Sequence, residues 1–172
     1  PNPMSKSKLI FITGATKGIG RATAFTFAKA GWDLILLARN FKELEKLKNE
    51  LIGFDVKVNI CNCDLSDDEI IESSISKLLK DFGCPSVVLN NAGFAYNGEL
   101  ITMPLKQWQK IIQVNLTSIF QICSEVVPLM RVKGGLIINV SSHAASNAFP
   151  HWGAYCTTKA ALASFTKCLR EE

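Results

Sequence analysis

Short apolar segments alternate with longer amphipathic segments along almost the whole chain, and this alternation limits the possible folds more than any other feature. The segment 34–37 is apolar throughout, which is typical of a strand buried on both faces. Helices between such strands favour right-handed crossovers and a parallel sheet. We predict that Ser66 caps the third helix, with Glu69 completing a capping box. The predicted strands are 8–13, 33–38, 55–60, 86–89 and 135–140, and the predicted helices are 18–30, 42–51, 66–80, 105–113, 115–131 and 154–172.

The predicted architecture is therefore an α/β fold, a doubly wound parallel sheet with helices on both faces, in a single domain over residues 4–172. A chain of 172 residues with 48% hydrophobic and 20% charged residues is long and apolar enough for one core. Pro1–Pro3 precede Met4, and we interpret them as a remnant of cloning. The chain ends inside its last predicted helix without a glycine cap, so we expect its C-terminal part to be missing.

Charge and cysteine content argue against several classes of protein. The net charge is +4, and the 19 basic residues are scattered, so no nucleic-acid partner is predicted. The six cysteines lack metal-ligand spacing, which predicts no metal site and favours reduced thiols in the cytoplasm. No apolar run in the sequence approaches the roughly 20 residues of a membrane span, so no membrane partner is expected.

Three glycines lie where the first predicted strand leads into the first helix. Gly14, Gly18 and Gly20 form the pattern G-x-x-x-G-x-G, which differs from the standard G-x-G-x-x-G. We predict that Gly14 allows a tight turn, that Gly18 lets a pyrophosphate approach the backbone, and that Gly20 lets helix and strand pack. The helix start would present free N–H groups and a positive dipole to the phosphates. The turn therefore predicts dinucleotide binding.

The end of the second predicted strand indicates which dinucleotide is bound. An acidic residue there would bind the adenosine ribose of NAD, but the sequence has Arg39 followed by Asn40. Arg39 is placed to bind a 2′-phosphate, and Lys17 in the glycine turn supplies a second cation. The sequence therefore predicts that NADP(H) is preferred and that NAD(H) remains possible.

With these motifs, the chain resembles the short-chain dehydrogenase/reductase family, and the matching segments run in family order across almost the whole sequence. Thr13–Gly20 is similar to the family's glycine motif, Asp64 matches its adenine-contacting acid, and Asn90–Gly93 matches a motif that stabilises the sheet and lines the cofactor. The resemblance implies a Rossmann fold that binds a nicotinamide dinucleotide. The predicted cofactor-binding residues are Gly14, Thr16, Lys17, Gly18, Ile19, Gly20, Arg39, Asp64, Leu65, Asn91, Ala92, Gly93, Tyr155 and Lys159.

The resemblance also implies four catalytic residues: Asn115, Ser142, Tyr155 and Lys159. Tyr155 would be the general acid/base, because Lys159 lies one helical turn further on and its positive charge stabilises a phenolate. Ser142 would bind the substrate oxygen, and Asn115 would anchor a water that relays protons to Lys159. Ser141 is a rival, but side chains alternate along a strand and the family spacing to Tyr155 favours Ser142.

The leading hypothesis is an NADPH-dependent oxidoreductase that reduces a ketone or 3-oxo group of a small molecule to an alcohol by hydride transfer. The alternatives are an NAD-dependent alcohol dehydrogenase working in the oxidising direction and a non-catalytic dinucleotide-binding regulator or scaffold. The resemblance further implies a homo-oligomer, a dimer or tetramer, assembled through the helices of Asn115 and Tyr155. Several apolar residues on these helices lie either at such an interface or in the core: Ile119, Ile122, Val126, Leu162 and Phe165.

Overall fold

The computed structural model of the chain describes residues 8–172, so the remnant predicted at Pro1–Pro3 lies outside the described residues. Strands and helices alternate as the sequence predicts. The strands are β1 (Leu9–Thr13), β2 (Asp33–Ala38), β3 (Val58–Asn62), β4 (Val87–Asn90) and β5 (Leu136–Asn139). The helices are α1 (Gly18–Lys29), α2 (Phe41–Leu51), α3 (Asp68–Phe82), α4 (Leu105–Ile112), α5 (Ser118–Lys133) and α6 (Gly153–Glu171).

The five strands form one parallel sheet in the order β3-β2-β1-β4-β5, which confirms the doubly wound α/β fold. The chain first builds outward from β1 through β2 to β3 and then returns to place β4 on the other side of β1. The strand order therefore reverses between β1 and β4. In such sheets a crevice opens at the carboxyl ends of the two strands at this point, and ligands bind there.

The sheet is covered on both faces because neighbouring residues of a strand point to opposite sides. Phe11 of β1 packs into a core with α3 and α5, whereas Ile12 packs into a second core with α1 and α2. Helix α6 adds a smaller cluster, in which Leu162 packs on Ile119 and Cys123 of α5. These packed faces fix the ends of the strands, and with them the loops that carry the site.

The predicted cap of the third helix is wrong. Asp67 is the N-cap of α3, and its side chain accepts a hydrogen bond from the backbone N–H of Glu69 at 3.2 Å. Ser66 instead donates its own N–H and its hydroxyl to Oδ1 of Asp64, at 2.9 and 2.8 Å. The hydroxyl of Ser66 is thus used to orient a residue of the predicted site, and the helix begins one residue later than a Ser66 cap requires.

Several other boundaries differ from the prediction by a few residues, and two of these differences have a clear local cause. Strand β3 begins at Val58 instead of residue 55, because Asp55 follows a short 3-10 turn and adopts a left-handed conformation with φ +53°. Helices α4 and α5 are joined by a π-helical turn, Gln113–Thr117, so they form one continuous helical segment. Asn115 lies inside this turn. Single π-turns of this kind occur frequently at functional sites.

The continuous helical segment Leu105–Lys133 is long enough to span a membrane and contains an 18-residue stretch with a mean hydropathy of 1.2, which a membrane span could also have. The sequence prediction, which looked for an unbroken apolar run, did not single it out. Its apolar residues include Ile119, Ile122 and Val126, which pack within the cores. A core helix of a globular fold has this composition for the same reason, since its apolar stripe is buried against other elements.

Candidate active site

The glycine turn between β1 and α1 has almost no space for side chains at two of its three glycines. A Cβ on Gly14 would lie 2.9 Å from the Cα of Ala92, and Gly14 has φ +61°. A Cβ on Gly20 would lie 2.7 Å from Nδ2 of Asn91 and would overlap the carbonyl oxygen of Gly14. These glycines therefore let the turn lie directly against the loop that follows β4.

Gly18 differs, because a Cβ there would meet no atom within 4 Å. It has φ +51°, and it opens α1 on the side of the crevice. The N-cap residue, Lys17, makes no side-chain capping hydrogen bond, so the first backbone N–H groups of α1 have no side-chain cap. An open backbone at a helix N-terminus is suited to a pyrophosphate, and the turn fits a dinucleotide.

A set of hydrogen bonds joins the ends of β1 and β4. Oγ1 of Thr13 accepts the backbone N–H groups of Asn91 and Ala92, both at 3.0 Å. Nδ2 of Asn91 donates to the carbonyl oxygens of Thr13 and Gly14, at 3.2 and 3.1 Å. The glycine turn and the Asn90–Gly93 loop are therefore held as one unit at the point where the strand order reverses.

A cavity of about 630 Å³ opens at this point of the sheet. Eleven predicted cofactor-binding residues line it: Gly14, Thr16, Lys17, Gly18, Ile19, Arg39, Asp64, Leu65, Asn91, Ala92 and Gly93. Further residues on its wall were not predicted from the sequence as cofactor ligands: Leu37, Ala38, Asn40, Glu43, Cys63, Phe94, Lys110 and Val114. Glu43 of α2 and Lys110 of α4 carried no signal in the sequence, because these helices reach the cavity only through tertiary packing.

Both signs of charge lie on the cavity wall. Lys17, Arg39 and Lys110 contribute positive charge, and Glu43 contributes a carboxylate from the first turn of α2. The backbone N–H of Ser66 is the main cause that lowers the pKa of Asp64, with smaller contributions from its hydroxyl, Arg39 and Lys110. Asp64 is therefore held as a carboxylate that accepts hydrogen bonds.

Lys159 is buried next to the inner end of this cavity. Its side chain is 5% exposed, and Nζ donates a hydrogen bond to the carbonyl oxygen of Val140 at 2.8 Å. Nζ also lies 5.6 Å from the ring centroid of Tyr155. A Cβ on Gly93 would lie 3.9 Å from Nζ, so Gly93 connects the cavity wall to this lysine. Burial lowers the pKa of Lys159.

Asn115 is fully buried and ties three parts of the site together. Its Oδ1 accepts the backbone N–H of Phe94 at 3.0 Å, and its Nδ2 donates to the carbonyl oxygen of Phe94 at 2.8 Å. Nδ2 also donates to Oγ1 of Thr158 at 3.2 Å, and Thr158 donates to the carbonyl oxygen of Tyr155. The π-helical turn thus holds the loop after β4 and the first turns of α6 at the same time.

Ser142 lies three residues beyond β5. Its Oγ accepts the backbone N–H of Ala144 at 3.1 Å and caps a short 3-10 turn, His143–Ala145. Ser142 is half-buried, whereas Ser141 is exposed. The hydrogen bond fixes the oxygen of Ser142 and leaves its hydroxyl hydrogen for another acceptor.

The loop before Tyr155 packs on the segment that follows the Asn90–Gly93 loop. The backbone N–H of Gly98 donates to the carbonyl oxygen of His151 at 2.8 Å, and a Cβ on Gly153 would lie 2.6 Å from Cγ of Leu100. A second cavity, of about 610 Å³, lies between these two segments. Trp152 contacts the ring of Tyr155 edge to face, with the centroids 5.9 Å apart.

Comparisons with known proteins point to one family. The family model described as short chain dehydrogenase matches residues 8–172. The NADP-dependent 3-hydroxy acid dehydrogenase of Schizosaccharomyces pombe is 38% identical over 169 residues, which cover 96% of this chain and 65% of that protein.

The chain belongs to the short chain dehydrogenase family.

Solved structures of similar proteins share the fold. L-sorbose reductase from Gluconobacter frateurii, complexed with NADPH and L-sorbose, superposes with a TM-score of 0.89 at 31% identity and covers 95% of this chain and 63% of that chain. An NAD⁺-bound xylitol dehydrogenase superposes with a TM-score of 0.87 at 28% identity, covering 95% of this chain and 64% of that chain. The chain thus spans about two thirds of the length of these members of the family.

Within the described residues, no group of three or more His, Cys, Asp or Glu side chains is arranged to hold a metal ion.

The four predicted catalytic residues lie outside the wall of the 630 Å³ cavity, as does Gly20. Gly93 and Phe94 connect two of them, Lys159 and Asn115, to this wall, and Tyr155 lies beside Lys159. The structure therefore links Asn115, Tyr155 and Lys159 to the cavity wall, whereas Ser142 lies at the start of the loop between β5 and α6.

The packing of Gly20 can be tested by Gly20→Ala. The added Cβ would press on Asn91 and Gly14, and overpacking costs about 1–3 kcal/mol of unfolding free energy. We also expect weaker binding of NADPH, because the glycine turn would be displaced. Urea unfolding and nicotinamide fluorescence measure the two effects. Gly53→Ala is the control, since a Cβ there meets no atom within 4 Å. Equal behaviour of the two variants would contradict this account of the turn.

Burial of Lys159 predicts a pH dependence of stability. Because its pKa in the folded chain is below its ordinary value of 10.5, the unfolded chain binds more protons in the interval below pH 10.5. Stability conferred by the wild-type lysine should therefore rise with pH in that interval. We expect the unfolding free energy of wild type, relative to that of Lys159→Met, to increase from pH 7 to pH 10. Lys167→Met, at an exposed position of α6, is the control for losing one positive charge. If this relative unfolding free energy stays constant or falls as the pH rises, burial does not disfavour the charged form of Lys159.

Proposed function

We propose that this chain is the cofactor-binding and catalytic part of an NADP(H)-dependent oxidoreductase that reduces a ketone or 3-oxo group to an alcohol. The observation that carries the proposal is the buried Lys159, which lies beside both Tyr155 and Gly93 of the cavity wall. A buried cation next to a phenol, at the inner end of a dinucleotide cavity, is suited to proton transfer beside a nicotinamide. Membership of the family supports the same class of reaction.

The residues of the cavity fit a dinucleotide. The glycine turn and the start of α1 would hold the pyrophosphate, and Asp64 and Leu65 would lie against the adenine end. Lys17 and Arg39 would bind the 2′-phosphate. When bound, the cofactor supplies the hydride. Two of the similar proteins support the preference: the S. pombe enzyme is named as NADP-dependent, and the sorbose reductase was solved with NADPH.

Tyr155 is proposed to give its phenolic proton to the substrate oxygen. The ring of Trp152 contacts Tyr155 edge to face. Thr158 accepts a hydrogen bond from Asn115 of the π-helical turn and donates one to the carbonyl oxygen of Tyr155. These contacts limit the movement of Tyr155. The ammonium group of Lys159 is surrounded by protein, where a charge acts on its neighbours more strongly than in water. It would therefore stabilise the phenolate that remains after proton transfer.

Ser142 and Asn115 are proposed to complete the site. The hydroxyl of Ser142 is oriented by the N–H of Ala144 and would donate to the substrate oxygen, where negative charge develops. Both amide hydrogens of Asn115 are used, by Phe94 and Thr158, so the side chain would hold a relay water through the remaining lone pair of Oδ1. Asn115 would then position the loop and the helix as well as the water.

The substrate is proposed to be a small carbonyl compound that enters near the loop before Tyr155. We further propose a cytoplasmic protein, because the six cysteines are free thiols. A dimer or tetramer remains part of the proposal. Ile119, Ile122, Val126 and Leu162 are buried in the core, so an interface on α5 would use its exposed apolar residues instead: Phe120, Leu129 and Val132.

Cofactor preference can be tested with the double variant Lys17→Ala and Arg39→Asp. A hydrogen bond to a charged group contributes about 1.5–3 kcal/mol, so we expect the Kd for NADPH to rise at least about tenfold. The Kd for NADH should change less than about threefold. Nicotinamide fluorescence measures both, and Lys29→Ala, in the last turn of α1, is the matched control for a lost cation. An unchanged affinity for NADPH would contradict the proposed role of the two cations.

Catalysis can be tested in the full natural chain with Tyr155→Phe. Loss of a general acid lowers kcat by about 10²–10⁴-fold, and the Kd for NADPH should stay within about threefold because the cavity is intact. Tyr96→Phe is the control, since Tyr96 is the other tyrosine of the chain. Full turnover by Tyr155→Phe would exclude this residue as the proton donor.

The second candidate is an NAD-dependent dehydrogenase working in the oxidising direction. Glu43 favours it, because this carboxylate lies on the same cavity wall as Arg39 and Asn40 and could bind a ribose hydroxyl. The NAD⁺-bound xylitol dehydrogenase shows that a protein with this fold can hold that cofactor. Under this candidate Glu43→Gln weakens NADH binding and leaves NADPH binding nearly unchanged. If both cofactors bind and wild type shows no turnover with any alcohol or carbonyl, the non-catalytic scaffold is the remaining candidate.

A further inference from the structure

Catalysis at this site requires that two separate parts of the chain keep a fixed relation. Ser142 follows β5, whereas Tyr155 and Lys159 are on α6. The connection between them, residues 140–152, contains only one short 3-10 turn. The relation therefore depends on how α6 lies along β5, and apolar packing alone is non-directional and tolerates sliding.

A chain of hydrogen bonds crosses from β4 through β5 to α6. Nδ2 of Asn90 donates to Oδ1 of Asn139 at 2.8 Å, and these two residues are register partners in the sheet. Nδ2 of Asn139 donates to Oγ1 of Thr166 at 2.8 Å, and Thr166 donates to the carbonyl oxygen of Leu162 at 2.7 Å. Every donor in this chain has a defined acceptor, so the direction of each bond is fixed.

Helix α6 is thus attached to the β5 segment at two points. The first is the bond from Lys159 to the carbonyl oxygen of Val140, and the second is the bond from Asn139 to Thr166. The helical residues are seven positions apart, about 10 Å along the axis, and they lie on the same side of the helix. Together with the bond from Asn115 to Thr158, these two attachments oppose both sliding and tilting of α6 on β5.

One buried oxygen in this chain of hydrogen bonds has no partner, and the free-energy cost of leaving it so indicates that the polar residues have a positioning role. Oδ1 of Asn90 is buried and has no hydrogen-bond partner among the described residues. An unpartnered buried acceptor destabilises a fold. An apolar residue at this position of β4 would avoid that cost but would leave Asn139 without the donor that orients it. Polar groups that are retained in a core under such a penalty can specify one arrangement of the elements.

We propose that Asn139 and Thr166 are positioning residues for the catalytic helix. Their hydrogen bond sets the position of α6 on β5, and thereby the place of Tyr155 and Lys159 relative to Ser142. The effect on catalysis rests on the function proposed above, whereas the effect on the helix does not.

The test compares Thr166→Val with Thr157→Val in the full natural chain. Both changes remove a hydroxyl that donates to the carbonyl four residues earlier in α6, but Thr157 is exposed and its hydroxyl bonds only within the helix among the described residues. We expect amide hydrogen exchange in residues 153–162 to accelerate about tenfold in Thr166→Val and to stay near wild type in Thr157→Val. Thr166→Ser keeps the acceptor and should restore slow exchange.

Kinetic measurements distinguish a positioning role of Thr166 from an effect on stability alone. In Thr166→Val we expect kcat per folded molecule to fall about tenfold or more, with the Kd for NADPH within about threefold, because Thr166 does not line the cavity. Thr166→Ser should recover kcat. A merely structural role would lower the folded fraction without changing kcat per folded molecule.

Three results would overturn the proposal: exchange in Thr166→Val that matches Thr157→Val, no recovery in Thr166→Ser, or unchanged kcat in Thr166→Val. If wild type has no turnover, the proposed function fails, and the exchange comparison then decides whether Asn139 and Thr166 hold the helix. Thr166→Ala replaces the valine variant if the latter does not fold.

Discussion

The hydrogen bonds between Thr13 and the Asn91–Ala92 backbone are the constraint on which the rest of the site depends. They join β1 to β4 where the strand order reverses, so the loops after these strands leave towards opposite faces and a crevice opens between them. With the two strand ends joined, Gly14 and Gly20 have no space for a Cβ, and the glycine turn is pressed against the next loop. A cavity of about 630 Å³ follows from this one junction.

The proposed catalytic residues of α6 lie beside the loop that this junction holds in place. Gly93 is close enough to Lys159 that a side chain would touch Nζ, and Asn115 bonds both to the adjacent loop and to Thr158 of α6. A lysine buried at this position costs free energy, because burial disfavours its charged form and so lowers its pKa. Burial of an unpaired charge near a phenol is a feature of functional sites more often than of packing, because packing alone would favour an apolar residue.

Local patterns predicted most of the fold, and the failures have local causes. Strand β2 was predicted with its observed bounds, because its apolar run ends at a charged residue on each side. The start of β3 was wrong because a left-handed Asp55 extends the turn before it. The spacing of Ser66 to Glu69 matches a capping box, but the hydroxyl of Ser66 is bonded to Asp64. Which of two adjacent polar residues caps a helix depends on tertiary contacts.

By itself, the sequence determined the α/β class, the strand and helix alternation, the glycine turn and the resemblance to one family, because these depend on periodicity and on motifs that are contiguous in the chain. Only the tertiary structure placed Glu43 and Lys110 on the cavity wall, buried Lys159 and linked Asn139 to Thr166. These relations join residues from different elements, and a hydrogen bond across 27 positions of sequence leaves no periodic signal. Distance in space and exclusion of water are properties of the packed fold, so they became visible only when the helices lay on the sheet.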